Sequence, residues 1–169
     1  MKNVYLIGMM GSGKTATGRE LATFLKFQFV DLDDLIMERA GQSINDIFRT
    51  EGEPYFRRLE SEILYEVAAR TGQVAATGGG IVLNPQNGAR MKETGMVIYL
   101  KTSLEVLWER VKAKKDRPLL TTQNPRKTLA DLLRERSLSY EEIADKTFST
   151  DQKSSEAVAL EIYKACFES

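Results

Sequence analysis

The chain of 169 residues contains no histidine, one cysteine and no excess of either charge, with 24 lysines and arginines against 24 aspartates and glutamates. Each absence removes a class of function. Without imidazole there is no Ser-His-Asp or Cys-His catalysis and no histidine-rich zinc centre. A general base here has to be a carboxylate, a lysine, a tyrosine or a water. The lone Cys166 forms no internal disulfide, which suits a reducing cytoplasm, and it reads as an apolar residue of a terminal helix. Zero net charge argues against a nucleic-acid binder that relies on a bulk basic field. No stretch approaches the roughly 18 apolar residues of a membrane span. The apolar run 4–7 stops at Gly8, which is too short for a signal core and reads as a buried strand. No repeat, low-complexity tract or Gly/Ser linker divides the chain, so one domain over residues 1–169 is expected. A domain of this size buries roughly 70% of its unfolded surface and needs no disulfide or structural metal.

What is present alternates. Apolar runs at 4–7, 27–30, 74–76, 96–100 and 147–149 read as strands. Amphipathic segments at 14–26, 35–40, 53–70, 104–111, 129–143 and 156–167 read as helices, and Ser43 reads as the N-cap of another. Strand then helix, about five times over, indicates an α/β fold with a mainly parallel sheet.

The strongest motif is Gly8-Met9-Met10-Gly11-Ser12-Gly13-Lys14-Thr15, which fits Gly-x-x-x-x-Gly-Lys-[Ser/Thr] between a strand and a helix. Glycines let the backbone close around phosphate with its N–H groups inward, and the following helix adds its positive end. Lys14 supplies a point charge at the β/γ position, and the Thr15 hydroxyl can ligate Mg²⁺. A chance match in a chain this long is expected at roughly 1% or less. The motif therefore predicts nucleoside triphosphate binding, without choosing between GTPase, ATPase and kinase.

Four weaker signals accompany it. Asp31 and Asp33 follow the run 27–30. If that strand continues through Asp33, a spacing of two puts both carboxylates on one face, at the strand end where ligands sit. One can hold Mg²⁺ and the other can orient an acceptor hydroxyl and take its proton; alternatively Asp33 or Asp34 simply caps a helix from Leu35. Arg57, in Phe56-Arg57-Arg58-Leu59-Glu60, and Arg136 lie on separate helices. They suit an anionic acceptor, unless they are solvated helix arginines paired at i±3 or i±4. Gly78-Gly79-Gly80 after a strand permits close backbone approach to a ligand, or is a loose turn. The tract 112–127 carries Lys112, Lys114, Lys115, Arg117, Arg126 and Lys127; it reads as a solvated loop or as a mobile basic lid whose Arg117 closes on the transferring phosphate.

Together these pieces, in this order and from Gly8 to about Lys153, resemble the shikimate kinase family. The resemblance implies a P-loop kinase fold with a five-stranded parallel sheet in the order 2-3-1-4-5, a substrate-binding helical region at about 33–61 and a lid at about 112–124. It implies transfer of phosphate from ATP to the 3-hydroxyl of shikimate, on the route to chorismate and the aromatic amino acids. The loop residues Gly11, Ser12, Gly13, Lys14, Thr15 and Ala16 would hold ATP, with Thr15 and Asp31 on Mg²⁺. Asp33 would orient or deprotonate the attacking hydroxyl, Arg57 and Arg136 would clamp the carboxylate, and Gly78, Gly79 and Gly80 would line the shikimate pocket. Glu60 would hold Arg57, Arg117 would meet the γ-phosphate, and Arg110 and Lys153 would contact adenine. At this last site Lys153 stands where arginine is common and Ser155 where proline is frequent. A lysine cannot stack like a planar guanidinium.

Other readings use the same loop. A nucleoside monophosphate kinase needs more arginines for its second nucleotide and does not need the Asp-x-Asp pair. A gluconate kinase lacks the Arg57 and Gly78-Gly79-Gly80 blocks in this arrangement. A catalytically silent module would have lost Lys14, Asp33 or Arg117, and all three are present. The expectation is a cytoplasmic monomer acting on a small molecule, with no nucleic-acid or membrane partner.

Overall fold

The apolar runs become five parallel strands, and the amphipathic segments pack as helices on both faces of the sheet they form. The computed structural model describes residues 2–114 and 117–169. In chain order the elements are β1 (Asn3–Ile7), α1 (Lys14–Leu25), β2 (Gln28–Asp31), α2 (Leu32–Ala40), α3 (Ile44–Thr50), α4 (Glu53–Ala68) and β3 (Gln73–Ala76). They continue with α5 (Pro85–Thr94), β4 (Gly95–Lys101), α6 (Leu104–Val111), α7 (Pro125–Ile143), β5 (Lys146–Ser149) and α8 (Ser155–Cys166). Short 3₁₀ turns lie at Ile81–Leu83 and Pro118–Leu120.

The sheet order is β2-β3-β1-β4-β5. All neighbours are parallel, with Leu6 in register with Ala76 on one side and Ile98 on the other. β1 is buried along its whole length because helices cover both of its faces. Its side chains alternate between two cores. Val4 and Leu6 point into one with Leu21, Val158 and Ile162 of α1 and α8. Tyr5 and Ile7 point into the other, with Ile63 and Leu64 of α4 and Tyr140 of α7. The strand order reverses at β1, so a crevice opens beyond its carboxyl end, between the ends of β3 and β4. No helix of the described residues is long and apolar enough to cross a membrane.

Several boundaries differ from expectation, each for a local reason. α7 begins at Pro125, four residues before its apolar periodicity shows, because Asn124 caps it and proline suits the first turn. α5 gives no periodic signal because only Asn87, Gly88 and Met91 of it are buried. β2 stops at Asp31 and does not reach Asp33. The basic tract contains the 3₁₀ turn Pro118–Leu120, and its Lys115 and neighbouring Asp116 lie outside the described residues.

Candidate active site

At the crevice, β1 runs out at Ile7 and the chain wraps round Lys14 before α1 begins. Gly11 and Gly13 take φ of 82° and 88°, a backbone that side-chain-bearing residues rarely adopt. Lys14 Nζ donates to the carbonyls of Gly8 at 2.7 Å and Met9 at 2.9 Å. Burial pulls its pKa down from 10.5 to about 8, with Asp33 opposing that shift and Arg117 reinforcing it. α1 has no side-chain cap and no acidic residue in its first turn, so its first N–H groups are left for an anion.

The loop lines a cavity of about 560 Å³ that also meets Ala16, Asp31, Asp33 and Arg117. The far end is walled by Arg110, Thr150, Lys153, Ser155 and Val158. There Arg110 Nη1 donates to the Gly11 carbonyl at 2.8 Å, which ties α6 to the loop. Lys153 is exposed and paired with Glu161 at 2.9 Å.

The two aspartates meet in a way the spacing did not anticipate. Asp31 itself is the N-cap, of a helix that starts at Leu32. Its Oδ1 accepts from the N–H of Asp33 at 2.9 Å and of Asp34 at 3.4 Å. Neither Asp33 nor Asp34 caps, and the two carboxylates are not on one strand face. Asp33 stands in the first turn of α2. Asp31 Oδ2 is free for other work and accepts from Thr15 Oγ1 at 2.8 Å. Among the described residues no group of three or more His, Cys, Asp or Glu can hold a metal by itself. One hydroxyl and one carboxylate do fit Mg²⁺, which takes its remaining ligands from phosphates and water.

Asp33 Oδ1 is buried and, among the described residues, has no hydrogen-bond partner. Burial, then the Asp31 charge, pushes its pKa up, while Lys14 and Arg117 pull it down.

A second, tighter cavity adjoins the first. Its walls are Asp33, Arg57, Glu60, Gly78–Gly80 and Arg136, closed by Ile44, Phe48 and Phe56 on one side and Pro118 and Leu119 on another. Met10, Asp33, Gly78, Gly79 and Arg117 line both cavities, so the two meet at Asp33 and Arg117.

The glycine triplet is where the charged side chains converge. A Cβ on Gly78 would stand 2.6 Å from Glu60 Oε2 and 3.3 Å from Asp33 Oδ1. On Gly79 it would stand 3.3 Å from Arg136 Nη1, and on Gly80 2.4 Å from Arg57 Nη1. Close approach, rather than a loose turn, accounts for these three residues.

Of the paired arginines, Arg57 turns inward and Arg58 stays exposed over the Tyr55 ring at 5.3 Å. Arg57 Nη1 donates to Glu60 Oε1 at 3.0 Å, and its Nε and Nη2 face Glu53 at 3.4 and 3.3 Å. The Glu60 side chain is only 1% exposed, so this is no solvated surface pair. Burial pushes the Glu60 carboxyl up from 4.5 to about 7, against the pull of Arg57. Arg136 on α7 is likewise buried.

Sequence reasoning missed the apolar walls Ile44 and Phe48, which carry no motif. It also missed Tyr140, whose phenol donates to the Gly79 carbonyl. The signal was available in its position, one helical turn after Arg136.

A protein-family model for shikimate kinase matches residues 10–167. The shikimate kinase of Actinobacillus pleuropneumoniae serotype 5b is 47% identical over 161 residues, which cover 95% of this chain and 93% of that one. The solved shikimate kinase from Acinetobacter baumannii, in complex with shikimate, is 40% identical with a TM-score of 0.95, covering 98% of this chain and 92% of that one. That from Aquifex aeolicus is 34% identical with a TM-score of 0.85, covering 99% of each chain.

Proposed function

The chain belongs to the shikimate kinase family, and from that premise we propose how its own residues move the γ-phosphoryl group of ATP to the 3-hydroxyl of shikimate. The products are shikimate 3-phosphate and ADP. The observation that carries the reading is the junction of two cavities at Asp33 and Arg117, one built round the phosphate-binding loop and the other round two inward arginines.

ATP occupies the larger cavity. Gly11, Ser12 and Gly13, with the first N–H groups of α1, hold the β- and γ-phosphates, and Lys14 neutralises them. Thr15 and Asp31 hold Mg²⁺, which when bound draws charge off the phosphate oxygens. Ala16 lies along the phosphate wall, and Arg110 and Lys153 take the base end.

Shikimate occupies the tighter cavity. Arg57 and Arg136 grip its carboxylate, and Gly78, Gly79 and Gly80 bring the backbone against its ring. Asp33 accepts the hydrogen bond of the 3-hydroxyl and takes its proton as that oxygen attacks phosphorus. Its raised pKa suits a base that must hold that proton. Arg117 neutralises charge on the phosphoryl group in flight, and the turn that carries it excludes water. Catalysis is then mostly positioning and charge neutralisation.

We take residues 1–169 as one kinase domain, with a substrate-binding helical region at about 33–61 and a lid at about 112–124. The zero net charge supports a partner list limited to small molecules, and we place the enzyme in the cytoplasm as a monomer.

The experiment is Asp33→Asn. Turnover of shikimate falls by ~100-fold or more while ATP binding persists. Near-normal turnover sinks the assigned role.

A further inference from the structure

Among the described residues, the N–H groups of Gly78, Gly79 and Gly80 donate to no protein acceptor. Gly78 and Gly80 are nevertheless buried. Buried backbone donors are normally paired, so a stretch with three open donors has to be held open by its other contacts. The outer carbonyls are fixed from within the turn. Ile81 N donates to the Gly78 carbonyl at 3.1 Å and Leu83 N to the Gly80 carbonyl at 3.0 Å.

The middle carbonyl, that of Gly79, belongs to Tyr140. This side chain is 0% exposed, and its ring stacks on Tyr99 with centroids 5.0 Å apart. Its hydroxyl also lies 3.7 Å from Met9 Sδ. A phenol has one proton to give, and a carbonyl oxygen is a far better acceptor than a thioether. Burial pushes the Tyr140 pKa further up, with the neighbouring Arg136 charge pulling the other way, so the hydroxyl stays a donor.

The peptide between Gly79 and Gly80 is planar, with its C=O and N–H pointing in opposite directions. Drawing the Gly79 oxygen toward the core turns the Gly80 N–H away from it. The Arg57 guanidinium lies where a Cβ on Gly80 would stand, and Gly80 lines the tighter cavity. We propose that Tyr140 is a positioning residue for the acceptor: by holding the Gly79 carbonyl it aims the Gly80 N–H at bound shikimate. One face of α7 then supplies both the Arg136 grip and, four residues on, the group that sets a backbone donor. This rests on the tighter cavity being the shikimate site.

Tyr140→Phe tests it, because the variant keeps the ring and the Tyr99 stack and removes only the hydroxyl. The KM for shikimate rises about fivefold or more, as for a lost buried hydrogen bond. Meanwhile kcat and the KM for ATP stay within about twofold, a split that a merely structural role would not produce. An unchanged shikimate KM, even with a lowered Tm, overturns the proposal.

A second measurement needs no variant. In the wild-type protein the Gly80 amide resonance shifts on titration with shikimate, and a Gly80 amide that does not respond also overturns the proposal. The two levels separate cleanly. Wild-type protein that fails to turn over shikimate removes the functional reading and this inference with it. Wild-type turnover with an unaltered Tyr140→Phe removes only the role of Tyr140.

Discussion

Glu60 is a residue whose charge and surroundings conflict. Its carboxyl is raised from 4.5 to about 7, first by burial, so ionising it in the folded protein is costly. A folded pKa above the unfolded one gives stability that is full below the unfolded value and is lost as pH rises through the folded one. For Glu60 that loss falls between about 4.5 and 7. Glu60→Gln removes the titration. The Tm of the variant minus that of the wild type is therefore more positive at pH 8 than at pH 5, by a few degrees for a chain of this size. Thermal melts at both pH values check it, and a difference that ignores pH contradicts it. The strain has a use in holding Arg57 from the protein side. Arg57, Glu60 and Arg136 were legible in the sequence as types at spacings. Their convergence on Gly78–Gly80 was legible only through the family resemblance and not from spacing, because three elements distant in the chain bring them together.

At the scale of elements, the start of α2 carries the most. Asp31 ends β2, caps α2 through Oδ1 and meets Thr15 through Oδ2. The sequence showed an Asp-x-Asp after an apolar run and left strand continuation and capping open. The side chain of Asp31 decided between them, since it bonds the N–H of Asp33 and so turns the chain into a helix at Leu32. Asp31→Ala loses the cap and costs about 0.5–2 kcal/mol, read as a lower Tm. Asp31→Asn keeps an acceptor oxygen and most of that stability, but lacks the charge that suits a divalent ion. Both variants need more Mg²⁺ for half-maximal rate, and only the alanine variant melts early. A Mg²⁺ dependence equal to the wild type in both would show that the metal is held elsewhere.

At the scale of the molecule, the order β2-β3-β1-β4-β5 explains why one short loop can serve two substrates. The crevice beyond β1 opens between β3, which leads into the glycine triplet, and β4, which leads toward Arg110 on α6. The alternation of apolar runs and helices made this architecture readable, because a parallel sheet buried on both faces leaves near-continuous apolar strands. Elements without that signature, such as α5 and the start of α7, are held by caps and proline placement and were not readable from periodicity. The zero net charge also proved a poor guide to the site. Lys14, Arg57, Arg117 and Arg136 concentrate positive charge round the two cavities while the rest of the chain balances it. The central claim is that this pocket phosphorylates shikimate, and a coupled ADP-release assay tests it most directly, with shikimate, gluconate and nucleoside monophosphates offered side by side. ADP release that depends on shikimate alone, with shikimate 3-phosphate as the product, is the predicted result; equal or faster release with gluconate or a monophosphate, or none with shikimate, would contradict it.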